Sequence, residues 1–259
     1  MNSKRAWFAI VTAAFAACLP APAARAAQVH VMTSGAFTES LKELVPAFER
    51  RTGHRVVMAF GASMGGAADS IPSRLDRGEP ADVVILAAGA LDALEAKGQV
   101  APGSRTDLVR STIGMVVKAG APRPDIATVE ALRRTLLGAK SIAYSASASG
   151  VYTSTELFAK LGVQAEVKDK SMRVVSERVA RVVARGEAEI GFQQVSELIT
   201  IPGVDYVGPL PPEVQKATVF SAGIGAKAGE PEAARELVRF LRSQEAVPVI
   251  ARNGLEPAR

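Results

Sequence analysis

Short apolar runs alternate along this chain with longer stretches whose apolar positions recur at helical spacing. Residues 29–32 form a brief β-rich run. Residues 38–51 then place Leu41, Leu44, Val45 and Phe48 on one helical face, and Gly53 stands where the helix must end. The pattern repeats, with strands expected at 56–60 and 82–86 and helices at 67–77 and 91–97. Val83, Val84, Ile85 and Leu86 are apolar without alternation, as in a strand covered on both faces. A second unit begins near Val109. It offers strands at 111–118, 141–144 and 189–192, and helices at 151–161 and 177–185. The stretch 215–227 holds another β-rich run, Val219 to Ile224, and helices at 231–242 and 245–252 close the chain. This alternation predicts an α/β fold of mostly parallel sheets flanked by helices. The run 111–118 reads as the passage between two units and 215–227 as the return. The expected architecture is therefore two-lobed, with 27–110 and 222–259 in the first lobe and 111–221 in the second.

The N-terminus obeys a different pattern. Lys4 and Arg5 precede an uncharged apolar run from Ala6 to Leu19, Pro20 and Pro22 break it, and Ala24-Arg25-Ala26 offers small residues at a signal-peptidase site. The run falls short of the roughly 20 apolar residues of a membrane span. Residues 1–26 are expected to be a secretory signal peptide, giving a periplasmic chain that starts at Ala27 and keeps no membrane span. A lipoprotein cut before Cys18 is the competing reading, which Phe15 and Leu19 fit poorly.

Removing that segment changes the balance of charge. Lys4, Arg5 and Arg25 leave, so 31 basic residues become 28 against 26 acidic ones, and the net charge falls from +5 to about +2. That is too mild to suggest a nucleic-acid partner. The one cysteine, Cys18, leaves as well, which suits an oxidising compartment and removes any thiolate metal site. The two histidines, His30 and His54, stand apart in or beside predicted strands, so neither a metal nor another cofactor is expected. With 48% hydrophobic and 22% charged residues, the chain is globular, and a monomer is expected.

The candidate chemistry lies in loops at strand ends. Thr33-Ser34-Gly35-Ala36 follows the first strand, Gly61-Ala62-Ser63-Met64-Gly65-Gly66 the second, and Ser145-Ala146-Ser147-Ala148-Ser149-Gly150 a strand of the second lobe, while Ser176 precedes the helix expected from Glu177. A helix start offers free N–H groups and about half a positive charge. Small residues admit an anion to that backbone and hydroxyls add donors. Several such starts facing one cleft would hold an anion without any arginine. A serine before a helix more commonly just caps it, but the neighbouring glycines supply backbone access that capping does not need. Gly61 to Gly66 lacks the lysine of a P-loop and the spacing of a dinucleotide fingerprint.

Phe60-Gly61-Ala62-Ser63, Gly78-Glu79-Pro80-Ala81-Asp82-Val83-Val84-Ile85, Ser149-Gly150-Val151-Tyr152 and Arg185-Gly186-Glu187-Ala188-Glu189-Ile190-Gly191 resemble the periplasmic molybdate-binding family, type II substrate-binding proteins of ABC transporters. The resemblance spans nearly the whole mature chain and implies a two-lobed fold, a small anionic ligand and an ABC permease partner. Carried over position by position, the family's first-loop serine falls on Ala36, with Gly35 beside it and Ser34 as a substitute hydroxyl. Its second-loop serine falls on Ser63, its second-lobe backbone donors fall near Ser149 and Ser176, and its cleft tyrosine falls on Gln194. Ala36 and Gln194 are departures that keep backbone donors but change the side chains. The hydroxyls of Ser149 and Ser176 suit a larger, more polar anion such as an organic acid.

The chain also resembles a related branch of periplasmic aconitate isomerases, which move a double bond in a tricarboxylate. That reaction needs a base to take a proton beside a carboxylate and return one two carbons away. Tyr152 and Glu177, near predicted loop ends, are the candidates; otherwise Tyr152 packs a helix start and Glu177 favours a helix dipole. A serine hydrolase is not supported, since there is no Gly-x-Ser-x-Gly elbow and both histidines fall in the first lobe.

Overall fold

In a computed structural model, residues 26–258 are described. Cys18 and all of the 1–26 signal-peptide reading except Ala26 fall on residues 1–25, outside them. The chain builds two sheets. The first contains β1 (Gln28–Ser34), β2 (Arg55–Gly61), β3 (Val83–Ala87) and β4 (Thr106–Ser111), interleaved with α1 (Gly35–Thr52), α2 (Ile71–Asp76) and α3 (Ala88–Ala96). The second contains β5 (Ile113–Lys118), β6 (Ile142–Ser145), β7 (Ser171–Val174), β8 (Ile190–Gln194) and β9 (Val204–Pro209). Its helices are α4 (Val129–Gly138), α5 (Ala148–Tyr152), α6 (Phe158–Lys160), α7 (Gln164–Lys168), α8 (Val179–Ala184) and α9 (Val195–Leu198). The chain then returns to the first sheet with β10 (Thr218–Ile224), α10 (Pro231–Leu241), α11 (Val247–Arg252) and β11 (Glu256–Pro257).

The strand orders are β11-β4-β10-β3-β1-β2 and β7-β6-β8-β5-β9. In the first sheet β1 to β4 run one way and β10 and β11 the other; in the second only β5 opposes its neighbours. The shared direction puts the carboxyl ends of the βα units on one side of each sheet, where open α/β sheets bind ligands.

The run expected as one strand at 111–118 is two strands in different sheets. The chain leaves the first sheet after Ser111 and enters the second at Ile113, so Thr112 is the crossing. The return crossing lies between β9 and β10, and Gln215 ties the two passages together. Its amide accepts from Ile113 N at 2.9 Å and donates to Ile113 O at 2.9 Å. Strands β7 and β9 and helix α4 were not expected from the sequence pattern. Met172 and Arg173 of β7 are exposed, and the inner positions of β9 are only half-buried, so neither strand carries a strong apolar run.

Packing explains the elements that the pattern does show. Phe37, Leu41, Leu44, Val45 and Phe48 turn one face of α1 onto β1 and β3. Each such burial is worth roughly 1.5–3 kcal/mol. In the second lobe, residues 148–160 form one continuous helix with a π turn at Thr153–Leu157. There Thr153, Ser154 and Thr155 each donate a hydroxyl to a carbonyl four residues back, at 2.8, 2.9 and 2.7 Å, in competition with the backbone ladder. Gly150 is needed here because a β-carbon would collide with the Ser145 carbonyl.

Asp82, in the Pro-Ala-Asp run that marks the family resemblance, is structural. Its buried carboxylate accepts from His30 N at 2.7 Å, Gly229 N at 2.7 Å and Glu230 N at 3.1 Å. It thereby pins β1 to the start of α10. His54 is structural too, accepting from Ala27 N through Nδ1 at 3.1 Å and facing Glu236 at 3.3 Å.

Candidate functional site

Ser34, Gly61, Ser145, Val174 and Gln194 are the last residues of β1, β2, β6, β7 and β8, and all five line one cavity of about 370 Å³ between the two sheets. That volume is of the size that holds small organic ligands. Among the described residues, no group of three or more His, Cys, Asp or Glu could hold a metal ion, and no helix is long and apolar enough to cross a membrane.

Ser34, Gly35, Ala36, Ser63, Ser149, Ser176, Glu177 and Gln194 are brought together as cavity lining. Tyr152 is not. It is buried in the second-lobe core and its hydroxyl donates to Val214 O at 2.6 Å. The roles of the serines differ from simple capping. Ser34 sits at the N-cap of α1 but makes no side-chain cap bond, and its Oγ is buried without a partner. Helix α2 starts at Ile71, not 67, and its cap is Ser70, so Ser63 is free of that task. Fully buried, Ser63 instead accepts from Ala87 N at 3.0 Å, which leaves its own proton to donate. Ser149 Oγ lies 3.0 Å from Ser145 Oγ.

Ser176 does not precede a helix at Glu177, because α8 starts at Val179. It adopts a left-handed backbone, φ 61°, and its hydroxyl donates across the cleft to Asp69 Oδ1 at 2.8 Å. A second bridge between the lobes joins Arg178 Nη2 to Glu39 Oε1 at 3.2 Å. Glu177 is held by Arg185, whose guanidinium donates to both of its oxygens at 3.0 Å. Gln194 donates through Nε2 to Thr218 Oγ1 at 3.1 Å and leaves Oε1 buried and unpartnered. Since the Thr218 hydroxyl can also donate, the amide can present either end to the cavity.

Helix starts are not the only source of positive charge in the cavity wall. Lys42, Arg178 and Arg181 line the cavity. Arg178 is only 15% exposed, and its Nη1 is buried with no partner. Sequence reasoning passed over it because a lone arginine ahead of a helix carries no motif.

Glu197, at the first turn of α9, was also missed. It lines the cavity from the second lobe, and its Oε1 accepts from Gln193 Nε2 at 3.0 Å. The carboxyl reaches over the first turn of α1, where a β-carbon on Gly35 would overlap Oε1. The backbone access that Gly35 provides is thus taken by one of the protein's own carboxyls. Burial pushes the pKa of Glu197 up to about 7, against the pull of Arg178 and the Gln193 hydrogen bond. The one available signal was its place three residues past Gln194, on the same strand-to-helix junction.

Comparison with known proteins places this architecture. The sequence profile of the bacterial extracellular solute-binding protein family matches residues 29–256, and the chain belongs to that family. It is 46% identical over 227 residues to an aconitate isomerase from Pseudomonas sp., covering 88% of this chain and 87% of that protein. It is 30% identical over 255 residues to the molybdate-binding protein ModA of Azotobacter vinelandii, covering 93% of this chain and 94% of that protein. Among solved structures, the periplasmic molybdate-binding protein of Azotobacter vinelandii shares the fold, with a TM-score of 0.68 at 22% identity, covering 89% of this chain and 100% of that chain.

Proposed function

We propose that this chain closes its two lobes around a small polycarboxylate and isomerises it, in the manner of the aconitate isomerase it resembles. The observation that carries this reading is Arg178, a guanidinium in the cavity wall with one nitrogen sealed from solvent and unpartnered. A ligand carboxylate supplies the missing acceptor for that nitrogen, while the other terminal nitrogen keeps Glu39. Lys42 and Arg181 add positive charge for further carboxylates, and Ser34, Ser63 and Ser149 add hydroxyl donors. Closure follows from donors in both lobes: a ligand touching Ser34 and Ser63 on one side and Arg178, Ser149 and Gln194 on the other favours the closed state.

Family membership supports a second reading, capture of a small anion for an ABC permease in the periplasm. The Ala24-Arg25-Ala26 motif fits export by either reading, with the mature chain starting at Ala27. One experiment separates them. The purified mature chain is incubated with trans-aconitate and the cis isomer is followed by proton NMR, while calorimetry measures binding of aconitate, citrate, sulfate and molybdate. Turnover of aconitate is the expected result. Nanomolar binding of molybdate with no action on aconitate would replace the isomerase with the receptor.

A further inference from the structure

We propose that the carboxyl of Glu197 is the proton carrier of this site, a catalytic residue that takes a proton from one end of a bound allylic polycarboxylate and returns it to the other. The proposal rests on the isomerase reading above and assigns its chemistry to one side chain.

Elimination leads to Glu197. Four carboxylates line the cavity, and three are engaged. Glu39 pairs with Arg178, Asp69 accepts from Ser176, and Glu177 is held in the fork of Arg185. Glu197 alone has no ion pair and no hydroxyl partner; one oxygen accepts from Gln193, and no hydrogen bond reaches the other. That second oxygen is not among the sealed, unpartnered atoms, and the residue lines the cavity. No histidine lines the cavity to compete for the role.

The position fits as well as the chemistry. Glu197 projects from the second lobe onto Gly35 of the first, so it sits where the lobes meet and where a ligand gripped by both is held. A carboxyl that burial brings to about pH 7 both accepts and releases a proton near neutrality. Arg178, beside it, pairs with a ligand carboxylate and stabilises negative charge that develops on it.

The step balances without any oxidant or reductant. The Glu197 carboxylate takes a proton from the methylene group of aconitate, breaking a C–H bond and forming an O–H bond. The released pair forms a new C=C bond, and the old π pair moves onto the conjugated carboxylate. That pair then returns from the carboxylate to the far allylic carbon and forms a C–H bond with the proton of Glu197, whose O–H bond breaks to restore the carboxylate. Because the tricarboxylate skeleton is symmetric about this shift, the product is aconitate again with its double-bond geometry set anew.

The test uses the full mature chain in D₂O with trans-aconitate, followed by proton NMR, and calorimetry on the same samples. Wild type should form the cis isomer. Glu197→Gln should still bind aconitate within about tenfold of wild type and lose turnover by about 10²–10⁴-fold. Glu197→Asp keeps the acid but withdraws it by one methylene, and it should recover part of the lost rate. Wild type turning over aconitate while Glu197→Gln, or a Glu197→Ala backup, stays within tenfold of it would overturn the assignment and leave the isomerase standing. Wild type that binds aconitate yet shows neither isomerisation nor deuterium uptake would remove the isomerase reading and the proton carrier with it.

Discussion

Gly35 has no side chain, and the carboxyl of Glu197 occupies the space where one would stand. The two residues come from different lobes and meet at the first turn of α1. Gly35 has no positive φ, so alanine suits its backbone and only the collision counts. Gly35→Ala should therefore fold, displace the Glu197 carboxyl and lower aconitate turnover by at least about tenfold, a cost consistent with misplacing a catalytic group. Steady-state kinetics beside a thermal melt checks this, and full activity in Gly35→Ala would show that the contact is dispensable.

Glu197 should also leave a mark on stability. Its pKa rises from 4.5 to about 7 on folding, so between those values the folded chain holds a proton that the unfolded chain has lost. Stability from this group is fully present below pH 4.5 and is lost as pH rises through about 7. At 1.36 kcal/mol per unit, the loss is about 3 kcal/mol. Arg178 and Gln193 face the carboxyl, and Glu39 reaches it through Arg178. Urea melts of wild type and Glu197→Gln from pH 4.5 to 8 should diverge by that amount, with wild type losing ground at the alkaline end. A constant difference would show that the group does not titrate in this range.

Arg178→Lys tests the ligand grip. Lysine keeps the charge but cannot hold Glu39 through one nitrogen and offer a second to the ligand, so affinity for aconitate should fall about 10- to 100-fold. Titration calorimetry reads the change directly. Equal affinity would take Arg178 out of the site.

Ser63→Ala carries two costs. It removes a hydroxyl from the cavity and strips Ala87 N of its acceptor in a fully buried place. The orphaned N–H should lower stability by about 1–3 kcal/mol, and the lost donor should weaken anion binding. Denaturant melts and calorimetry separate the two effects, and a variant that binds weakly yet melts like wild type would contradict the Ala87 contact.

Asp82→Ala strips three backbone donors of a charged, buried acceptor. Hydrogen bonds to charged groups contribute about 1.5–3 kcal/mol each, so a loss of at least about 3 kcal/mol is expected. Chemical denaturation measures it. Asp82 lies outside the cavity lining, so the folded fraction should keep its aconitate affinity.

The pattern of apolar positions was enough for the α/β class and for β1, β3, β6 and β8, because strands buried on both faces and amphipathic helices write their period directly into the chain. Local chemistry also located the serine-bearing turns, since glycines beside the serines supply backbone access that capping does not need. Strands β7 and β9 escaped notice because half-exposed positions carry no such period.

What only the tertiary structure decided is which charges those turns enclose. Nothing in the neighbourhood of Arg178 sets it apart from the other arginines of the chain, and Glu197 is marked only by its place three residues past Gln194. Burial sets both apart, and burial is a property of two lobes facing each other. The same facing turns Gly35 from an open backbone site into the seat of a carboxyl, and moves Ser176 from an expected helix cap to a bridge with Asp69. Sequence pattern is set by near neighbours along the chain, whereas these contacts span more than a hundred residues and exist only once both lobes are built.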